Sequence, residues 1–304
     1  MLSFFTLALA ATVGGLPTLL PATEEKPAPA GKPTSQRPEP TLSAGLRVEF
    51  AADLGAASLA VTRGNIGIES PLPPIGEWRL GADLASEWSW YDFDDFPSAA
   101  GGLTAPLAHG QSSLLGLSLV RPLGDGWTFV GRPVIAFSGD QEAEFADSVL
   151  FGGFVTIGRR ITDTLTLSVG MYAAEQFEED AVVFPIAGIQ WQIDEQTRLA
   201  SRGPGLRLTR ELGEGWQAFL EGTYRPRDYR LADDSSVPGG ALSDDSIPVS
   251  LGAEWQPRPA FQLSFQVGAL LGRSIELRDD SGDTVFEENA EPSAFVGFGL
   301  RIGL

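Results

Sequence analysis

Residues 261–271 read FQLSFQVGALL, and no other stretch limits the fold so tightly. The odd positions Phe261, Leu263, Phe265, Val267, Ala269 and Leu271 are apolar. The even positions Gln262, Ser264, Gln266 and Gly268 are polar or bare, until Leu270. A period of two is that of a strand with two unlike faces. In a soluble sandwich the apolar face turns into a core. In a membrane barrel it turns out to lipid and the polar face lines the interior.

Composition fits many such strands. Hydrophobic residues make up 43% of 304, spread too evenly for helical spans, and there are 36 glycines. That balance favours an all-β barrel or sandwich. The absence of cysteine excludes disulfides, thiolate metal sites and cysteine nucleophiles. A net charge of −19 argues against nucleic acid, which calls for a basic patch. The acid gathers at residues 92–95, 175–180, 233–245 and 279–291, which read as solvated loops. One of them could hold divalent cations, although none has the spacing of a calcium loop.

Residues 1–22 are apolar and uncharged and read as an export signal, though no basic residue precedes the apolar run. Residues 23–40 are rich in Pro, Ala, Lys and Glu and read as a disordered tether. The folded domain is expected over residues 41–304. There the chain alternates in segments divided by turn residues, with short connections near 71–76, 122–126, 161–163, 194–196, 211–215 and 257–259. Long connections are expected near 91–109, 139–147, 231–245 and 279–291. Short turns at one end and long loops at the other are the habit of outer-membrane barrels. Leu46, Val48, Phe50 and Ala52 are read as one face of the first strand, and residues 216–230 as a single strand. Splitting residues 197–210 at Arg202-Gly203-Pro204-Gly205 gives fourteen strands, and twelve to fourteen is the expected range. The fold class is thus an all-β, antiparallel up-and-down transmembrane barrel with an apolar exterior and a polar lumen.

The tryptophans favour that inversion over a sandwich. Trp78, Trp127, Trp191, Trp216 and Trp255 fall beside short turns, and Trp88 and Trp90 at the opposite end of their strand. Each shares the parity of its strand's apolar residues, as an interfacial girdle requires. The other parity carries Glu49, Asp83, Glu87, Arg207, Glu221, Arg225, Arg227, Glu254 and Arg301, together with Arg47. A charge facing lipid near the midplane costs a few kcal/mol. These ten are therefore expected to face the lumen, where both signs can pair across strands.

The last strand, residues 294–304 (AFVGFGLRIGL), is similar to the terminal strand of bacterial outer-membrane β-barrels, although it ends in Leu304 rather than an aromatic. Residues 183–191 (VFPIAGIQW), 222–225 (GTYR) and 228–230 (DYR) resemble an uncharacterised outer-membrane barrel family common in Planctomycetes-type bacteria. The resemblance covers about residues 41–304. It implies a bacterial outer-membrane location and no activity.

No HExxH, CxxC or phosphate-cradling glycine loop occurs. The lone histidine, His109, could be combined on paper with Asp92, Asp94, Asp95, Ser112 and Ser113 into a hydrolase site. A lone loop histidine is more often solvated, so no enzyme and no cofactor are expected. The leading expectation is a passive pore or small-solute transporter. The alternatives are a structural or binding barrel with a filled lumen, and an embedded hydrolase. The expected partners are the lipid bilayer, the outer-membrane insertion machinery, a small solute and divalent cations at the acidic loops.

Overall fold

The computed structural model describes residues 39–96 and 103–304. The expected signal and all but the last two residues of the expected tether lie outside them. Among the described residues sixteen strands form one sheet. The first five are β1 (Thr41–Leu54), β2 (Ala57–Ile75), β3 (Trp78–Asp94), β4 (His109–Gly124) and β5 (Trp127–Asp140). Next come β6 (Val149–Arg160), β7 (Leu165–Gln176), β8 (Glu179–Gln192), β9 (Thr197–Ser201) and β10 (Gly205–Gly213). Then follow β11 (Trp216–Thr223), β12 (Asp228–Arg230), β13 (Ala241–Arg258), β14 (Phe261–Arg278), β15 (Thr284–Ala290) and β16 (Ser293–Gly303). Each of β1 to β10 pairs antiparallel with the next. β11 pairs with β13, β13 with β14, β14 with β16, and β16 closes onto β1. Fourteen strands therefore make the closed wall, and β12 and β15 are appendages at one end.

The wall has the inverted pattern of a transmembrane barrel. Leu251 is 60% exposed, Phe298 57% and Phe265 44%, all on the outer face. Glu49, Arg63, Arg132, Asp244 and Arg273 are buried inside. Lipid accepts the first set at no cost, and the second set can be held only where partners exist. Both ends of the barrel chain, Thr41 and Gly303, face each other at the end bearing the two-residue turns 76–77, 125–126, 214–215 and 259–260. That is the short-turn end. At the 193–196 turn, Asp194 Oδ1 accepts the N–H groups of Gln196 and Thr197, which holds its carboxyl below the usual range.

Two bulges break the period of two. In β1 the register slips between Glu49 and Ala52. Glu49 faces inward, but so do Ala52 and Leu54 beyond the slip, while Asp53 turns out. Ala52 therefore does not share the outward face of Leu46, Val48 and Phe50. In β14, Gly272 takes φ +53 opposite a slip in β13 between Asp245 and Ile247. Leu271 is outward, and Arg273, Ile275 and Leu277 are inward. An extra residue in one strand flips the face of all that follow.

Several connections differ from expectation. Residues 241–245 and 284–290, expected as acidic loop, are strand. Asp244 is fully buried, so its acid is not a solvated loop charge. Residues 216–230 are not one strand, because β11 ends at Thr223 before Pro226, and β12 resumes at Asp228. The long-loop end also carries short connections at residues 55–56, 177–178 and 202–204. The last of these divides β9 from β10, as the Gly-Pro-Gly sequence suggests. The wall is low there: β9 pairs with β8 only at residues 190–192. Gln192 donates its N–H to Thr164 on the β7 side, so odd-numbered residues of β8 turn theirs to the low side. Ser201 Oγ takes the Ile189 N–H, and Pro185 has none to offer.

Candidate functional site

The lumen is filled from the long-loop end down. The connection from β11 to β13, residues 224–240, does not stand outside the barrel. Arg225 bridges to Ser246, and β12 pairs with the upper end of β13. The chain then crosses to the opposite wall, where Arg230 pairs in parallel with Gly139 of β5. Tyr229 is fully buried, with its ring against Gly110 of β4 and edge-on to Tyr91. Around it lies an apolar cap that includes Leu54, Leu59, Phe96, Leu242, Leu277 and Phe286. The bulges in β1 and β14 are what turn Leu54 and Leu277 into this cap.

Beneath the cap lies a layer of ion pairs. Arg63 donates from Nε to Glu49 Oε1 at 2.9 Å and from Nη2 to Asp244. Arg273 grips Asp244 with two donors at 2.9 and 2.8 Å, and its Nη1 lies 3.5 Å from Glu49 Oε2. Tyr91 Oη also donates to Asp244, at 2.8 Å, and Arg63 donates to Ser89 at 2.6 Å. Beside them Arg227, from the crossing loop, donates to Glu87 at 2.6 Å. Burying such charges is costly unless each is matched and hydrogen-bonded, and here two carboxylates meet two guanidiniums. Arg230 clamps the loop to Glu178 and to the Gly239 carbonyl, and Ser138 donates to the Asp228 carbonyl.

Below the ion pairs the lumen opens into a polar vestibule of about 420 Å³. It runs from Arg63, Glu87 and Arg225 at its roof to Glu69, Gln262 and Arg301 at the short-turn end. The even face of residues 261–271 supplies Gln262, Ser264 and Gln266 to its wall. Chemically it can hold a small polar solute through hydrogen bonds and charge. Arg207 divides itself between Glu254 at 2.6 Å and Glu221 at 3.3 Å, over the ring of Phe219. Arg132 pairs with Asp83 at 2.5 Å, and Arg301 with Glu69 at 2.8 Å near the mouth.

Of the residues singled out by parity, Glu87, Asp83, Arg207, Glu221, Arg225, Glu254 and Arg301 border the vestibule. Glu49 lies in the ion layer above it, and Arg227 comes from the crossing loop. Trp127, Trp191, Trp216 and Trp255 are exposed at the short-turn end, with Trp78 half-buried beside Phe129. Trp90 is exposed and Trp88 half-buried toward the other end. Sequence reasoning missed Arg63, Tyr91, Tyr229, Asp244 and Arg273. For Arg63 the signal was available, since it shares the inward parity of Asn65 and Glu69. For Arg273 it was hidden by the Gly272 bulge. His109 is exposed, whereas Ser112 borders the vestibule. His109 and Ser112 take opposite faces of one strand, and Ser113, on the face of His109, stands four residues or about 13 Å along it and bonds Ser86, so neither serine is within reach of the histidine. Among the described residues no cluster of three acidic or histidine side chains is placed to hold a metal.

Among solved structures the chain is similar to an outer-membrane channel from Pseudomonas putida F1, at 8% identity and a TM-score of 0.49, over 91% of this chain and 100% of that one. It is similar to a Pseudomonas aeruginosa FadL homologue at 11% identity and a TM-score of 0.46, over 87% and 90% of the two chains. It is also similar to the KdgM porin at 10% identity and a TM-score of 0.36, over 86% and 99%. No curated protein matches it. The model of a domain family of unknown function, DUF6268, matches residues 111–303, well over half of the sequence, and the chain belongs to that family.

Proposed function

We propose that the protein is a gated transporter of small polar solutes in the bacterial outer membrane, its short turns in the periplasm and its long loops outside. The observation that carries this reading is the roofed vestibule, a polar chamber of about 420 Å³ reaching the short-turn end under a closed cap. The cap is built partly from the wall and partly from the loop that crosses it. Its movable part is the crossing loop, residues 224–240, which packs on apolar residues of the wall and is held by separate contacts, Arg227 to Glu87 and Arg230 to Glu178 among them, and a loop so held can be displaced while the barrel stays closed. The exposed tryptophans at the strand ends support placement in a bilayer, since an indole suits the headgroup zone. In this reading Trp78, Trp88, Trp90, Trp127, Trp191, Trp216 and Trp255 are the interfacial girdle.

A filled structural barrel is the second reading, favoured by the buried Glu49–Arg63–Asp244–Arg273 cluster. Planar-bilayer recording of the refolded chain separates the two. Gating predicts brief or rare openings from the wild type and long-lived ones from an Arg227→Ala, Arg230→Ala double variant. Silence from both, in protein that keeps its heat-modifiable gel mobility, would sink the transporter and leave the filled barrel. Steady open steps from the wild type would sink the gate.

A further inference from the structure

The roof of the vestibule has more positive charge than its own carboxylates can meet. Glu87 is held by Arg227, Asp83 by Arg132, and Glu221 and Glu254 by Arg207. Arg47 and Arg225 both border the vestibule, and each guanidinium repels the other. Arg225 forms no ion pair among the described residues, and its Nε is buried without a hydrogen-bond partner. The nearest carboxylate oxygen to Arg47 is Glu49 Oε1 at 3.9 Å, and that atom already accepts from Arg63 at 2.9 Å. The Arg47 guanidinium instead lies over the Phe295 ring, 4.8 Å from its centre. A third cation, Arg202, borders the same chamber and likewise has no ion pair among the described residues.

Two like charges facing one chamber under a low-dielectric roof are unfavourable by themselves. An anion between them removes the repulsion and gives their idle donors acceptors. Guanidinium is the group whose planar donors match carboxylate and phosphate. We propose that Arg47 and Arg225 form a binding site for the anionic group, carboxylate or phosphate, of a small solute entering from the short-turn end. Glu221 and Glu254 beside Arg207 face the same chamber, so a solute that carries hydroxyl donors as well as the anion fits its lining. The proposal deepens the transporter reading by naming the charge class of its solute, and rests on that reading only for the word transport.

The test is calorimetric titration of the refolded full chain in detergent with inorganic phosphate, with D-glucuronate, and with uncharged D-glucose. At least one anion is expected to bind tenfold or more tighter than glucose, and to weaken as salt is raised. Arg225→Gln and Arg47→Gln are each expected to weaken that binding by about tenfold or more, equivalent to about 1.4 kcal/mol. Arg121→Gln, at an exposed pair with Glu77 on the short-turn rim, is expected to bind as wild type. If Arg225→Gln does not refold, Arg47→Gln decides. Equal binding of glucose and both anions, or unchanged anion binding in a folded Arg225→Gln or Arg47→Gln protein, would overturn the site. Uptake of phosphate and of D-glucuronate into proteoliposomes is read separately: anion binding without any passage leaves the site standing and removes transport, and passage without anion binding does the reverse.

Discussion

The two halves of the lumen are built by the same strands and differ in almost everything else. Toward the short-turn end, β1, β2 and β14 present Arg47, Asn65 and Gln266 to an open chamber. Toward the other end, the same three present Leu54, Leu59 and Leu277 to a packed cap. The apolar cap begins two or three residues beyond Glu49, Arg63 and Arg273, at Ala52, Val61 and Ile275, and at β1 and β14 the change coincides with a bulge. A uniform strand would keep one face wet along its whole length. The slips let β1 and β14 line a chamber below and a core above while their outer face stays greasy. What the comparison teaches is that the long-loop half of this barrel is stabilised like a soluble core, and the short-turn half by charge pairs around an open polar chamber.

If that division is real, damage above the roof should cost stability and damage below it should not. The largest effect is expected at the roof itself. Asp244→Ala leaves Arg63 and Arg273 sharing one carboxylate in a buried site, which should cost about 3–5 kcal/mol. Urea unfolding in detergent, followed by tryptophan fluorescence, measures it, and a loss below about 1 kcal/mol would mean the layer is wet.

Gly110→Val tests the cap without removing any charge. A Cβ at Gly110 would lie 2.6 Å from the Tyr229 ring, so the loop has to shift. Overpacking of this kind costs about 2–3 kcal/mol, and the variant should show longer channel openings than wild type in the same bilayer assay. Unchanged stability together with unchanged openings would show that Tyr229 does not seat the loop.

Gly272→Ala comes next. Nothing lies within 4 Å of the added carbon, so only the backbone at φ +53 resists. About 1–2 kcal/mol is expected from that left-handed conformation, seen as a lower urea midpoint with an unchanged slope. A stabilised variant would show that the bulge does not exist in the protein. The smallest effect belongs to the mouth. Arg301 and Glu69 are half exposed, and such pairs contribute at most about 1 kcal/mol. Arg301→Gln should therefore leave the urea midpoint nearly unmoved, and a large drop would erase the contrast between the two halves.

Much of the wall could be read before any coordinates. The alternation in residues 261–271 is enough to give a strand with one apolar and one polar face. The Gly-Pro-Gly sequence at 203–205 is enough to divide β9 from β10, because Pro204 has no N–H to give a ladder and Gly203 takes a left-handed φ of +53. The cap could not be read, and Asp244 shows why. In sequence it sits among Asp233, Asp234 and Asp245, where four acids within thirteen residues look like a solvated loop. Its partners Arg63 and Arg273 lie 181 and 29 residues away, and nothing local marks them.

The sequence by itself determined that apolar and polar side chains would part to opposite faces, since a strand's period is fixed by its backbone. It also determined where the turns at residues 125–126 and 214–215 would fall, because their composition favours left-handed backbone, whereas residues 71–75, expected as connection, continue β2 up to a turn at 76–77. Tertiary structure alone decided where that period slips, and that residues 224–240 would fold inward across to Gly139 instead of standing in solvent. Those choices rest on contacts between residues far apart in the chain, such as Arg227 with Glu87 and Tyr229 with Ser89, which exist only once the wall has closed around them.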